Sequence, residues 1–147
     1  MTIINQMNKL ECFKDFEIVT SYFAQYKNLK ADVYFVIAIS RTAPINCCDT
    51  MYNDLMPSAE LLWWAKSIEN SIENKYLLKE KIPDYIKQYK KETLDKLNPH
   101  LELNHLKFYG NKIALVCYEH PKYFCHRKIV AAWFKKHTNF EIKEYGT

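Results

Sequence analysis

The sequence predicts one α/β domain, and three observations carry that prediction. Two runs, Asp32 to Ser40 and Lys112 to Glu119, are almost continuously apolar. Such runs suit strands buried on both faces of a sheet. Apolar residues at helical spacing follow each of them. The tail then reads strand, helix, strand, a βαβ unit of the kind that builds a parallel sheet. At 147 residues with 48% hydrophobic side chains, the chain is long enough for one real core. The expected unit spans 1–147, with about the first 15 residues set apart as an appended segment.

The elements follow in order. Glu17 to Ala24 is β-branched and aromatic, so a first strand is expected there. The Asp32–Ser40 strand comes only a few residues later. Parallel neighbours need a crossover of about a dozen residues or more. Three arrangements therefore stay open: an intervening strand, an antiparallel pair, or an unusually compact connection. Arg41 to Pro57 carries two prolines among polar residues and reads as a long loop. Ser58 fits an N-cap. Leu61, Trp64, Ala65 and Ile68 fall at i, i+3, i+4 and i+7, one face of a helix.

Pro83 suits the first turn of the next helix and Asp84 its positive end. Ile82, Ile86, Tyr89, Thr93 and Leu97 form its stripe, and Asn98-Pro99 is expected to end it. Gly110-Asn111 turns the chain into the Lys112 strand. A helix starting near Cys125 or His126 shows Ile129, Val130, Trp133 and Phe134 on one face. Phe140 to Tyr145 alternates as a final strand.

Composition excludes several classes. With two glycines, the chain has no Gly-rich phosphate loop. A phosphate would have to be held by a helix N-terminus and cationic side chains. A net charge of +4 admits anionic ligands but falls short of a nucleic-acid coating protein. No secretory signal and no membrane-spanning run are read, so the expected setting is cytoplasmic. Five cysteines, an odd number, read as reduced thiols there rather than as a disulfide framework, with Cys47 and Cys48 in a loop.

The chemistry concentrates between Cys117 and Arg127. In open α/β sheets, ligands gather beyond the carboxyl ends of the strands. Those ends deliver Cys117, Tyr118 and Glu119, then Ser40 and Arg41, then Thr20, Ser21 and Tyr22. The helix start adds unpaired N–H groups and Arg127 a fork of donors, so an anion-binding corner is the first reading. Arg127 lies off the apolar stripe and is expected to reach the strand edge.

A catalytic nest comes second. Cys125 has a helix N-terminus, His126 and Arg127 to favour its thiolate. The phosphatase pattern is absent, however, since Ala131 stands six residues on. A small buried thiol is the plainer reading of Cys125. Glu119 and His126 form a candidate acid/base pair, against a plain Glu119–Arg127 ion pair.

A metal clip of Cys117, His120, Cys125 and His126 comes last. Its spacing is poor, because adjacent Cys125 and His126 would have to converge on one ion. No metal or cofactor is therefore expected. Lys122, Arg127, Lys128, Lys135 and Lys136 make an acid-free basic flank. Among the aromatics Tyr22, Phe23, Trp63, Trp64, Tyr118, Tyr123 and Phe124, most are expected in the core, though such rings also stack on bases.

The segment Lys112 to Phe134 resembles the C-terminal signature of the domain-of-unknown-function family 488. That signature is a strand ending in Cys-x-Glu (Cys117, Glu119), a short loop, Cys-His-Arg (Cys125, His126, Arg127) and an apolar helix. A phage and bacterial branch is similar further back, through Thr20 to Ala24, the strand running into Ala43-Pro44, Leu55-Met56-Pro57, and a Tyr-rich helix from Tyr85 to Leu97. That branch has Gly-Lys before Ala-Pro; here Arg41-Thr42 keeps the charge without the glycine.

The resemblance covers roughly Glu17 to Tyr145. It implies a small Rossmann-like three-layer domain with a mostly parallel sheet, and roles around nucleotides, nucleic-acid processing and phage–host conflict. The expected partner is a nucleotide or other phosphorylated small molecule, or a nucleic-acid end, and no membrane. A non-catalytic sponge for a signalling nucleotide and a protein–protein inhibitor are the rivals. The aromatic content leaves room for an exposed patch and a homodimer.

Overall fold

The computed structural model describes residues 13–71, 79–121 and 123–147. The first twelve residues, 72–78, Lys122 and the side chains of 67–71, among them Ile68 of the expected helix stripe, fall outside what it describes. Among the described residues, five strands form one sheet: β1 (Glu17–Tyr22), β2 (Phe35–Ala38), β3 (Thr50–Met51), β4 (Lys112–Cys117) and β5 (Lys143–Glu144). Their order is β3-β2-β4-β1-β5, and every pairing is parallel. The short β1–β2 connection is thereby explained. β4 lies between the two, as the register Tyr22 to Cys117 on one side and Ala38 to Val116 on the other shows.

Five α-helices are described: α1 (Tyr26–Ala31), α2 (Ala59–Ser71), α3 (Ile82–Glu92), α4 (Pro99–Lys107) and α5 (His126–Thr138). The strands bury both faces with period two. Ile18, Ile37, Ile39, Ile113 and Leu115 pack with Leu61, Tyr85, Tyr89, Leu103, Leu106, Val130 and Phe134 from α2 to α5. Val19, Val36, Ala38, Ala114 and Val116 pack on the opposite face with Phe23 and with Leu29 of α1. The result is a three-layer, Rossmann-like α/β arrangement. Among the described residues, no helix is long and apolar enough to cross a membrane.

Several boundaries follow the sequence. The Ser58 hydroxyl accepts from the Leu61 N–H at 3.0 Å and caps α2. Pro83 stands at the start of α3 with Asp84 in its first turn. Cys125 is the N-cap of α5, whose residues Ile129, Val130, Trp133 and Phe134 are buried.

Other boundaries are corrected. Asn98-Pro99 starts a helix: the Asn98 side chain accepts from the N–H groups of His100 and Leu101, and Pro99 needs no donor at N1. α3 ends at Glu92, and Tyr85 and Tyr89 are its buried residues. The 41–57 loop contains β3 and a 3-10 turn, Asn53–Leu55. The strand expected from Asp32 begins at Phe35, because Asp32 closes α1 and Val33 turns through φ 68°.

Candidate functional site

Strand parity decides which side chains meet at the carboxyl edge. Ile113 and Leu115 face the layer of α2 to α5, so Cys117 faces it too. α5 packs on β1 and β4 from that side, beginning at Cys125. Cys125 has an extended backbone (φ −151°, ψ 148°), whereas His126 is the first helical residue. This break in conformation lets neighbouring side chains converge. Cys125 Sγ lies 3.7 Å from His126 Nδ1, and the sulfurs of Cys117 and Cys125 are in bonding contact. The two thiols, expected to stand apart, are brought together at this edge. Their Cα atoms are 7.6 Å apart, beyond the span of about 4.4–6.8 Å usual for a disulfide. Cys47 and Cys48 are unbridged and half-buried.

His126 is buried and points inward. Its Nε2–H donates to the Ile39 carbonyl at 2.7 Å, which leaves the Nδ1 lone pair toward the sulfurs. Burial pushes its pKa down to about 4, helped by the Arg127 charge and opposed by the Ile39 bond. The imidazole is therefore neutral at ordinary pH. Glu119 is half-buried. Burial raises its carboxyl above the usual range, against the pull of its own backbone N–H, Arg127 and Lys66.

Arg127 overturns the sequence reading most clearly. It is wholly buried, not free at the strand edge. Its Nε and Nη2 donate to the two carboxylate oxygens of Glu144 at 3.0 and 3.3 Å, and Nη1 donates to Cys117 Sγ at 3.0 Å. The fork that was expected to hold an anion is engaged by β5, and the ion pair runs to Glu144 rather than to Glu119. Thr20, Ser21 and Tyr22 likewise leave the candidate site. Thr20 donates to Glu144 at 2.8 Å, Ser21 is fully buried, and Tyr22 packs on the His120 ring and under the Arg127 guanidinium. His120 is thereby separate from the Cys/His cluster, which comprises Cys117, Cys125 and His126.

A cavity of about 440 Å³ opens at this edge. Of the residues read from the sequence, Ser40, Arg41, Cys117, Tyr118, Glu119, Cys125 and His126 line it. Arg41 donates one N–H to the Pro57 carbonyl at 3.3 Å, and the Tyr118 and Thr42 hydroxyls bond at 3.1 Å. The sequence reading missed Lys66 and Tyr85, which complete the wall from α2 and α3. Lys66 stands four residues beyond Leu62, so one helical turn carries both to the cavity. That spacing was the available signal. No local signal marked Tyr85.

Comparison with known proteins adds the family. The model of DUF488-N3a, described as the active DUF488-N3 subclade, matches residues 23–138. The chain belongs to this family. No curated protein and no solved structure matches it.

Proposed function

We propose that this DUF488-N3a member binds a phosphorylated, nucleotide-like small molecule in the cavity at the carboxyl edge of the sheet, and acts on it there. The carrying observation is the mixture of side chains in one cavity wall. Arg41 and Lys66 supply two cations, Tyr85, Tyr118 and Phe124 supply aromatic surface, and Glu119 supplies a carboxyl group. Phosphate calls for the first set, a base or sugar for the others. The volume suits a small ligand. α5 starts beside the cavity with no side chain capping it, so its first N–H groups add to the attraction for an anion.

The family's description as an active subclade supports turnover rather than storage alone. In this reading Glu119 exchanges a proton with the ligand, and Arg41 takes the phosphate role that the sequence suggested for Arg127. The setting in phage–host conflict belongs to the same proposal and rests on the sequence resemblance.

Native mass spectrometry of gently purified protein, then denaturation, should release a nucleotide-like compound. A panel of nucleoside mono-, di- and triphosphates should then contain one class that raises the melting temperature. Arg41→Ala and Lys66→Ala should each weaken that compound by about 10–100-fold, the range for losing a hydrogen bond to a charged group. Absence of any such compound, or unchanged affinity in both variants, refutes the reading. Conversion of the added compound by wild type but not by Glu119→Gln supports chemistry; equal conversion by both removes Glu119 from it.

A further inference from the structure

We propose that Cys117, Cys125 and His126 form a three-ligand zinc site in the wall of the cavity, with its fourth coordination position open to the cavity. The three ligand atoms lie within 4.8 Å of one another and all three residues are buried. Each also lines the cavity, so a fourth ligand would come from there. Two thiolates and an imidazole are a donor set that selects zinc among the common divalent ions. Three protein ligands with one open position is the arrangement of catalytic rather than structural zinc.

The geometry fits an ion better than the sequence spacing suggests. A tetrahedral zinc with bonds of about 2.3 Å to sulfur and 2.05 Å to nitrogen separates those atoms by about 3.6 Å. Cys125 Sγ and His126 Nδ1 are 3.7 Å apart. The obstacle seen in the sequence was convergence of adjacent residues. It is removed by the break at the helix start, where Cys125 is extended and His126 is helical. Two sulfurs on one ion would sit about 3.8 Å apart. The sulfurs are in contact here, and the 7.6 Å between the Cα atoms leaves room for the side chains to turn apart to that separation.

The surroundings are those of metal ligands. A ligating histidine ordinarily donates its other ring N–H to a carbonyl or carboxylate, which fixes tautomer and ring orientation. His126 does this to Ile39, at 2.7 Å. Arg127 donates to Cys117 Sγ at 3.0 Å, a hydrogen bond from outside the cluster that fixes where this sulfur points. Glu144 holds that guanidinium in place from the far side. The proposal is independent of the phosphorylated ligand, because metal binding is read with no ligand added.

The test uses all 147 residues of the chain. Protein purified without chelator should carry stoichiometric zinc by elemental analysis. Reduced apo-protein should bind cobalt(II) with sulfur-to-metal charge-transfer absorption. Cys117→Ser and Cys125→Ser should each diminish that absorption. They should also weaken cobalt by more than the roughly 10–100-fold that losing an outer-shell partner costs. Cys47→Ser and Cys48→Ser should leave both unchanged. The wild-type titration decides the matter even if a ligand variant fails to fold. The proposal is overturned if wild type with counted, reduced thiols gives no charge-transfer band. It is equally overturned by a Cys117–Cys125 disulfide in protein alkylated at harvest.

Discussion

Replacing Glu144 with alanine should destabilise the protein far more than loss of an exposed acid does. The Arg127 side chain is 0% exposed and that of Glu144 is 14% exposed. Two N–H groups of the guanidinium and the Thr20 hydroxyl converge on this carboxylate. Its removal strands a buried cation whose other partner is the Cys117 sulfur, and leaves Thr20 without its acceptor. Breaking a buried ion pair costs about 3–5 kcal/mol. The partial exposure of Glu144 lets water reach the vacated space, so the lower end, about 3 kcal/mol, applies. For a chain of this length that corresponds to a fall in melting temperature of about 6–12 °C. Urea unfolding of wild type and Glu144→Ala, with matched thermal melts, measures both numbers. Pairing Glu144→Leu with Arg127→Met should recover much of the loss, since a packed apolar pair leaves no charge buried. A loss below about 1 kcal/mol, the value for exposed pairs, would refute the reasoning. The guanidinium would then be solvated and available to an anion, as the sequence alone suggested.

Two further outcomes follow from local geometry. Val33 is a β-branched residue in the left-handed region (φ 68°), and the residue is 76% exposed. Val33→Asn should therefore raise stability by about 1 kcal/mol, since a left-handed conformation disfavours branched residues and suits asparagine. An unchanged or lower urea midpoint would count against that. Asp49 accepts from the Lys30 ammonium (2.8 Å), the Val36 N–H (2.8 Å) and the Tyr26 hydroxyl (2.7 Å). Partial burial pushes its carboxyl up, but these three donors outweigh that and hold it below the usual range. A carboxyl whose folded pKa is depressed contributes stability above its unfolded value, about 3.9, and loses it as pH falls through the folded value. The wild type should accordingly lose stability more steeply than Asp49→Asn as pH is lowered from 5; parallel acid limbs would refute this.

The sheet was legible in the sequence because its central strands are buried on both faces. Ile113 to Val116 and Val36 to Ile39 are wholly enclosed, and continuous apolar runs are the direct trace of that. α1 left little trace: six residues long, it is anchored by the single buried residue Leu29. Asn98-Pro99 was ambiguous because the same pair that stops one helix caps the next. The carboxyl-edge site was legible from strand ends, which gave Ser40, Arg41, Cys117, Tyr118 and Glu119. The fate of Arg127 was not. Helical periodicity reports where apolar groups point, whereas the burial of Arg127 depends on a carboxylate 17 residues later, on β5. Lys66 and Tyr85 reach the cavity from separate helices, which a reading of strand ends does not include.

The buried guanidinium gives the site its organisation. On one side of Arg127 lie Thr20 and Glu144, from β1 and β5; on the other lies Cys117, the end of β4. Because β4 sits between β2 and β1, the first residue of α5, His126, reaches back to the Ile39 carbonyl just beyond β2. Two consecutive residues of one helical turn thus tie α5 to both flanks of the central strand. The helix start can neither slide along the sheet nor rotate without breaking the ion pair or the imidazole bond. Cys125, at the cap of that turn, inherits a fixed position opposite Cys117. The segment read as a Cys-His-Arg motif therefore divides its labour. His126 and Arg127 orient the turn by bonds to other strands, and the two sulfurs with Nδ1 are presented together at the cavity wall. Arg41 and Lys66, on the loop and helix across from this anchored turn in sequence, have only one described hydrogen bond between them, from Arg41 to Pro57. In the function proposed above, these two cations take the anion role that the sequence reading gave to Arg127.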